Sequence, residues 1–142
     1  MEATSDGTPA AILSIDFAKA YDRLDRNFLN KTMIHYGFNK SFIRLVKLLS
    51  EDNTAEIIVN AKITEPIKLE RGFRQGCPLA LYLYIIYINP FLTRLNLHLK
   101  GLNLKNIITK TSAFVDDVVI YTGNKSDLEI LSKEIENLEC HK

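Results

Sequence analysis

A lone aspartate closing one apolar run, and a pair of aspartates wedged between two others, constrain this chain more than anything else in it. Asp16 follows Ala10–Ile15, an apolar run of strand length. Asp116–Asp117 separates Thr111–Val115 from Val118–Thr122, which reads as a hairpin presenting both carboxylates at its tip. Adjacent carboxylates repel, and holding them beside apolar strands is costly without a counter-charge. The strand end and the hairpin lie about a hundred residues apart in sequence, so they meet only if the two ends of the chain share one sheet. Brought together, they form a set of hard oxygen donors. Two divalent cations use such donors to clamp the attacking and leaving oxygens of phosphoryl transfer.

The stretch between these ends alternates helical and extended patterns. Asp25 caps a helix to about Tyr36, with Phe28, Leu29, Thr32 and Met33 near helical spacing and Gly37 as its C′ stop. Ser41 to about Ser50 reads as a second helix, with Phe42, Ile43, Leu45, Val46, Leu48 and Leu49 inward and Arg44 and Lys47 outward. Strands at Ala55–Asn60 and Ile63–Leu69 follow, joined by a turn at Ala61–Lys62. The loop 71–77 leads into Pro78, which opens a helix to about Asn89. Pro90 kinks or restarts that helix, which continues to about Lys100, and Gly101 ends it. Asp127–Leu138 is amphipathic, with Leu128, Leu131, Ile135 and Leu138 on one face. Residues 1–9 (MEATSDGTP) read as a flexible N-terminal end. The order of strand, two helices, strand pair, long helix, hairpin and helix predicts an α+β fold. It fits a ferredoxin-like split βαβ unit, an antiparallel sheet with helices on one face.

Composition narrows the function classes. With 142 residues, one domain over 10–142 is the expectation. Hydrophobic residues at 46% and charged residues at 25% are globular usage, which excludes a disordered chain. Net charge is +1, but Lys19–Arg74 holds eleven basic against seven acidic residues, while 126–142 is acidic. Cys77 and Cys140 make no CxxC, and His35, His98 and His141 are scattered, so neither a disulfide framework nor a zinc site is expected. The run Leu79–Ile88 is too short to span a bilayer. The chain reads as soluble and intracellular, with no membrane partner.

Three segments in order, SIDFAKAYD at 14–22, RGFRQGCPL at 71–79 and AFVDDVVIY at 113–121, resemble the palm motifs of reverse transcriptases from LINE-type (non-LTR) retrotransposons. YGF at 36–38 and the run 57–62 also resemble that group, and the similarity covers roughly residues 10–139. The resemblance departs at Ala80 and Leu81, where the family usually has Ser and Pro, and at Val115, where many members carry alanine. It implies a partial palm domain with most of the fingers and the thumb missing, and an RNA-directed DNA polymerase acting on an RNA template, a DNA primer and dNTP. The implied cofactor is Mg²⁺, as two ions, with Mn²⁺ as a possible substitute. A nuclear location is also implied. The alternative is a non-catalytic remnant of such a polymerase that keeps only nucleic-acid binding or a structural role. A third class, a palm-fold nucleotide cyclase, is disfavoured by the RQG loop and the Asp16-to-Tyr21 spacing.

The resemblance also assigns roles. Asp16, Asp116 and Asp117 become catalytic metal ligands, with the Phe17 backbone carbonyl completing a metal shell; read from the residue alone, Asp16 is better taken as the cap of the following turn. Tyr21 becomes the residue under the incoming sugar, against a core tyrosine on residue type alone. Arg74, Gln75 and Gly76 become nucleotide-binding, with Arg71 nearby, in a loop ahead of a helix N-terminus that suits phosphate. Tyr82, Tyr84 and Tyr87 fit either base stacking or, the preferred reading, core packing in an apolar helix.

Overall fold

Thirteen elements follow one another along the chain: β1 (Ala11–Asp16), α1 (Arg26–His35), α2 (Lys40–Ser50), β2 (Thr54–Ala55), β3 (Ile58–Val59), β4 (Lys62–Ile63), β5 (Ile67–Lys68), α3 (Ala80–His98), β6 (Leu102–Leu104), β7 (Ile107–Thr109), β8 (Thr111–Phe114), β9 (Asp117–Thr122) and α4 (Lys125–Glu139). The computed structural model describes residues 10–74 and 76–139. They fall into two compact units, one from the start of the chain to Ala18 and from Ile88 onward, the other Lys19–Tyr87.

The first unit holds the main sheet, antiparallel in the order β1-β9-β8. β9 alternates cleanly: Val118, Ile120 and Thr122 are buried, while Asp117 points to the exposed face. That period of two is what a half-covered strand requires, and α4 packs against β9. Ile88, Phe91, Leu95, Leu99, Leu102 and Leu131 supply the rest of this unit's buried apolar side chains. The α+β architecture with an antiparallel sheet is as expected, though among the described residues the sheet has three strands.

Several boundaries differ from the sequence expectation. α3 runs unbroken as one helix with Pro90 inside it, one of the two outcomes expected at that proline, but it starts at Ala80 and ends at His98. An interior proline costs about 3 kcal/mol, which burial of Ile88, Phe91 and Leu95 around it offsets. β6 and β7 form an unforeseen hairpin whose turn residues, Lys105 and Asn106, both have positive φ. α4 begins at Lys125, because Asn124 Oδ1 accepts the Asp127 N–H at 2.9 Å and so acts as the cap. Its buried positions are Asp127, Leu131 and Glu134, while Leu128 is exposed and the Leu138 side chain lies outside the described residues.

In the second unit α1 and α2 pack together. The Asp25 cap is present, with the Phe28 N–H donating to Asp25 Oδ1 at 2.7 Å, and Gly37 takes φ +74 just past the helix end. On α2 the buried residues are Ile43, Val46 and Ser50, whereas Leu45, Leu48 and Leu49 are exposed, contrary to expectation. The two long strands expected over 55–69 are four two-residue strands, β2 pairing β5 and β3 pairing β4.

Candidate metal centre and nucleotide loop

The pairing register of β1 and β9 sets the geometry of the carboxylates. Successive partners run from Ala11↔Thr122 to Asp16↔Asp117, so the two aspartates stand directly opposite one another at the end of the ladder. Directly opposed residues share a face, with Cβ atoms about 4.5–5.5 Å apart. That face is the uncovered one, and both Asp16 and Asp117 are exposed. Asp117 also faces Phe114 of β8, which leaves Val115 and Asp116 as a two-residue turn. The structure therefore brings Asp16, Asp116 and Asp117 together at one sheet end.

Val115 has φ +58, a left-handed conformation that a β-branched residue rarely adopts. Positive φ at the first of the two turn residues alone is the sign pattern of a II′ turn, where glycine is normally found. The backbone strain thus sits immediately beside the paired carboxylates. Among the described residues none of the three aspartates forms an ion pair, and no group of three or more His, Cys, Asp or Glu converges as a metal cage. Mg²⁺ commonly uses one or two carboxylates plus substrate phosphates rather than an all-protein cage, so an exposed carboxylate pair with a third beside it suits a cation that arrives with its substrate.

Phe17 follows Asp16, and its ring stands edge-on to Phe91 at 6.1 Å between centroids, which anchors the backbone just past the strand end. The remaining expected site residues belong to the second unit. Tyr21 is half-buried, its ring 5.3 Å from that of Tyr84. Arg74 and Gly76 are exposed, in a turn closed by the Cys77 N–H donating to the Arg74 carbonyl at 3.1 Å, and Gly76 has φ +84. Gln75 lies outside the described residues. Of the three α3 tyrosines, Tyr84 is buried and Tyr87 half-buried, but Tyr82 is 62% exposed, so core packing accounts for two of them. Burial raises the Tyr87 hydroxyl above its ordinary pKa.

Two residues that the motifs did not single out organise these surroundings. Arg26 donates from all three guanidinium nitrogens to main-chain carbonyls just ahead of the loop, and burial lowers its pKa. It also borders a polar cleft of about 420 Å³ with Lys47, Glu51, Glu70 and Arg71. Asp127, almost wholly buried, accepts the Lys100 and Gly101 N–H groups at 3.1 and 2.9 Å, pinning the end of α3 to the start of α4. Arginine has the fork to serve several acceptors at once, but residue type alone does not say where those acceptors are.

The sequence model of the family described as reverse transcriptase (RNA-dependent DNA polymerase) matches residues 2–139. An uncharacterized 149 kDa protein of transposon TX1 from Xenopus laevis is 38% identical over 87% of this chain. A retrovirus-related Pol polyprotein from the type-2 retrotransposable element R2DM of Drosophila melanogaster is 28% identical over 84%. The chain spans only 10% and 11% of those two relatives. Two apo telomerase structures from Candida tropicalis superpose on 89% of the chain with TM-scores of 0.66 and 0.68, at 19% and 17% identity; the match takes up 27% and 25% of those chains and shows a shared fold. No helix among the described residues is long and apolar enough to cross a membrane. With its three motifs in family order and its aspartates gathered at one sheet end, the chain belongs to the reverse transcriptase family and matches the core shared by its LINE-type members.

Proposed function

We propose that this chain is the palm region of an RNA-directed DNA polymerase, in which a primer 3′-hydroxyl attacks the α-phosphate of a dNTP opposite an RNA template and pyrophosphate leaves. The observation that carries the reading is the pairing of Asp16 with Asp117, with Asp116 in the adjoining turn. Like charges placed directly across a ladder destabilise it, so this arrangement favours a bound cation. The donor set fits Mg²⁺, as two ions, with Mn²⁺ as a substitute. Asp16, Asp116 and Asp117 would hold them, together with the Phe17 carbonyl. When bound, the metal would lower the pKa of the attacking hydroxyl and neutralise charge on the triphosphate.

The chain's own residues supply position. A six-pair ladder fixes Asp16 against Asp117, and ordering ligands before the substrate arrives lowers the cost of reaching the reactive geometry. Tyr21 would lie under the sugar and disfavour a 2′-hydroxyl, with its contact to Tyr84 limiting its movement. Arg74, Gln75 and Gly76 would meet the nucleotide and template base, Arg74 and the turn's N–H groups favouring phosphate. A nuclear site of action belongs to the same proposal and rests on the resemblance alone. Tyr21→Val is expected to raise ribonucleotide incorporation; unchanged sugar selectivity would remove Tyr21 from this role.

The test is extension of a DNA primer on an RNA template by this chain with Mg²⁺ or Mn²⁺, beside an Asp116→Ala/Asp117→Ala double variant. Extension that disappears in the variant is the expected result. Folded wild-type chain that extends nothing would replace this reading with a non-catalytic remnant retaining nucleic-acid binding or a structural role.

A further inference from the structure

Residues 69–73 are tied to residues 21–26 by five hydrogen bonds, and one side chain makes three of them. Arg26 Nε donates to the Gly72 carbonyl at 3.0 Å, Nη1 to that of Leu69 at 2.9 Å and Nη2 to that of Arg71 at 3.2 Å. The main chain adds the Gly72 N–H to the Leu24 carbonyl at 2.9 Å and the Phe73 N–H to the Tyr21 carbonyl at 3.2 Å. The two segments lie so close that a Cβ on Gly72 would sit 2.6 Å from the Tyr21 carbonyl oxygen and 2.7 Å from Asp22 Cα, and Gly72 has φ +71. Only glycine fits there.

Arg26 forms no ion pair among the described residues; its planar fork is used wholly on carbonyl oxygens. An arginine serving only as a solvated charge has no reason to hold three consecutive-region carbonyls. Lysine, a single point of charge on a flexible stem, cannot reproduce the fork. The bonds join Tyr21, Leu24 and Arg26 on one segment to Leu69, Arg71, Gly72 and Phe73, just ahead of Arg74, on the other. All of them belong to the same compact unit.

We propose that Arg26 is a positioning residue whose guanidinium locks the main chain of 69–72 against residues 21–24, fixing Tyr21 relative to the loop that carries Arg74 and Gly76, and so setting selectivity for the sugar of the incoming nucleotide. The selectivity half rests on the polymerase reading above; the lock itself does not. Arg26 acts through the carbonyls of Leu69, Arg71 and Gly72 rather than on the reacting atoms. The lock acts by keeping the two walls of the nucleotide site at one separation.

The test compares the full wild-type chain with Arg26→Gln, Arg26→Lys and Gly72→Ala by amide hydrogen exchange, dNTP binding and primer extension. In Arg26→Gln the Gly72 and Phe73 amides should exchange about tenfold faster, with Val118 and Ile120 unchanged. KM for dNTP should rise about tenfold with kcat changed less than about threefold, and preference for dNTP over NTP should fall about tenfold, since tenfold is what one lost charged hydrogen bond is commonly worth. Arg26→Lys should lie between wild type and Arg26→Gln. Gly72→Ala, with Arg26 intact, should reproduce the loss of selectivity from the other side. Unchanged exchange at Gly72 and Phe73, or an equal acceleration of every amide, would overturn the lock. Exchange that changes while sugar selectivity stays fixed would overturn the selectivity half. If the wild-type chain extends no primer, the polymerase reading falls separately, while exchange decides the lock and relative affinity for dNTP and NTP decides selectivity.

Discussion

The β1–β9 pair and the β3–β4 hairpin are built from the same β-branched and aliphatic residues, yet they are opposites as structures. β1 and β9 pair over six positions, and Val118 and Ile120 on the covered face are 0% exposed. A slip of one residue would turn those side chains outward and drive Asp117 into the core, so burial holds the register. β3 and β4 pair over two positions, with Ile58, Val59 and Ile63 all exposed. No covered face constrains them, and the turn at Asn60–Ala61, both at positive φ, is the feature that sets their register. A strand-like composition thus gives precise placement only where one face has something to cover it. The candidate metal ligands stand on the strand pair that has it.

This contrast can be broken by substitution, the largest effect first. Ile120→Ala should cost about 2–5 kcal/mol by removing fully buried methyl groups. Chemical denaturation measures this, and a loss near zero would mean that β9 is not what holds the sheet. Asp127→Ala should cost about 1–3 kcal/mol, because the Lys100 and Gly101 N–H groups lose their acceptor. A variant as stable as wild type would show that water replaces the carboxylate fully. Val115→Gly should stabilise the chain by about 1 kcal/mol, since glycine adopts the left-handed turn without a Cβ penalty. A lower Tm would mean that valine's packing outweighs its strain. Ile58→Thr should change stability by less than about 0.5 kcal/mol, its side chain being 71% exposed. A cost comparable to that of Ile120→Ala would erase the distinction between the two strand pairs.

The same contrast explains what could be read from sequence. β1 and β9 were legible to within a residue because an apolar run or an alternation met an aspartate at a defined end. The Asp25 cap and Gly37 stop were legible because their chemistry is local. The β6–β7 hairpin was hidden because Lys105 and Asn106 occupy a turn whose usual sequence signal ends in glycine. The exposed leucines of α2 were misplaced because an apolar count does not distinguish a helix face that is covered from one that is not. On α4 two carboxylates displaced Leu128 from the buried stripe: Asp127 serves main-chain N–H groups, and Glu134 pairs with Arg94 at 2.8 Å. Such partners are more than 25 residues away, and nothing in local periodicity points to them. In the candidate site the aspartates, Phe17 and Tyr21 followed from motifs, whereas Arg26 depended on carbonyls over 40 residues away.

We propose that Asp16 and Asp117, paired across the sheet, hold a divalent cation together with Asp116. Mn²⁺ binding in the presence of a dNTP, followed by electron paramagnetic resonance, tests it most directly on wild type, Asp16→Asn and Asp117→Asn. Bound Mn²⁺ in the wild-type chain and marked loss in either variant is the expected result, with both variants at least as stable as wild type in the absence of metal because a like-charge pair has been relieved. Equal Mn²⁺ binding by all three folded proteins would contradict it.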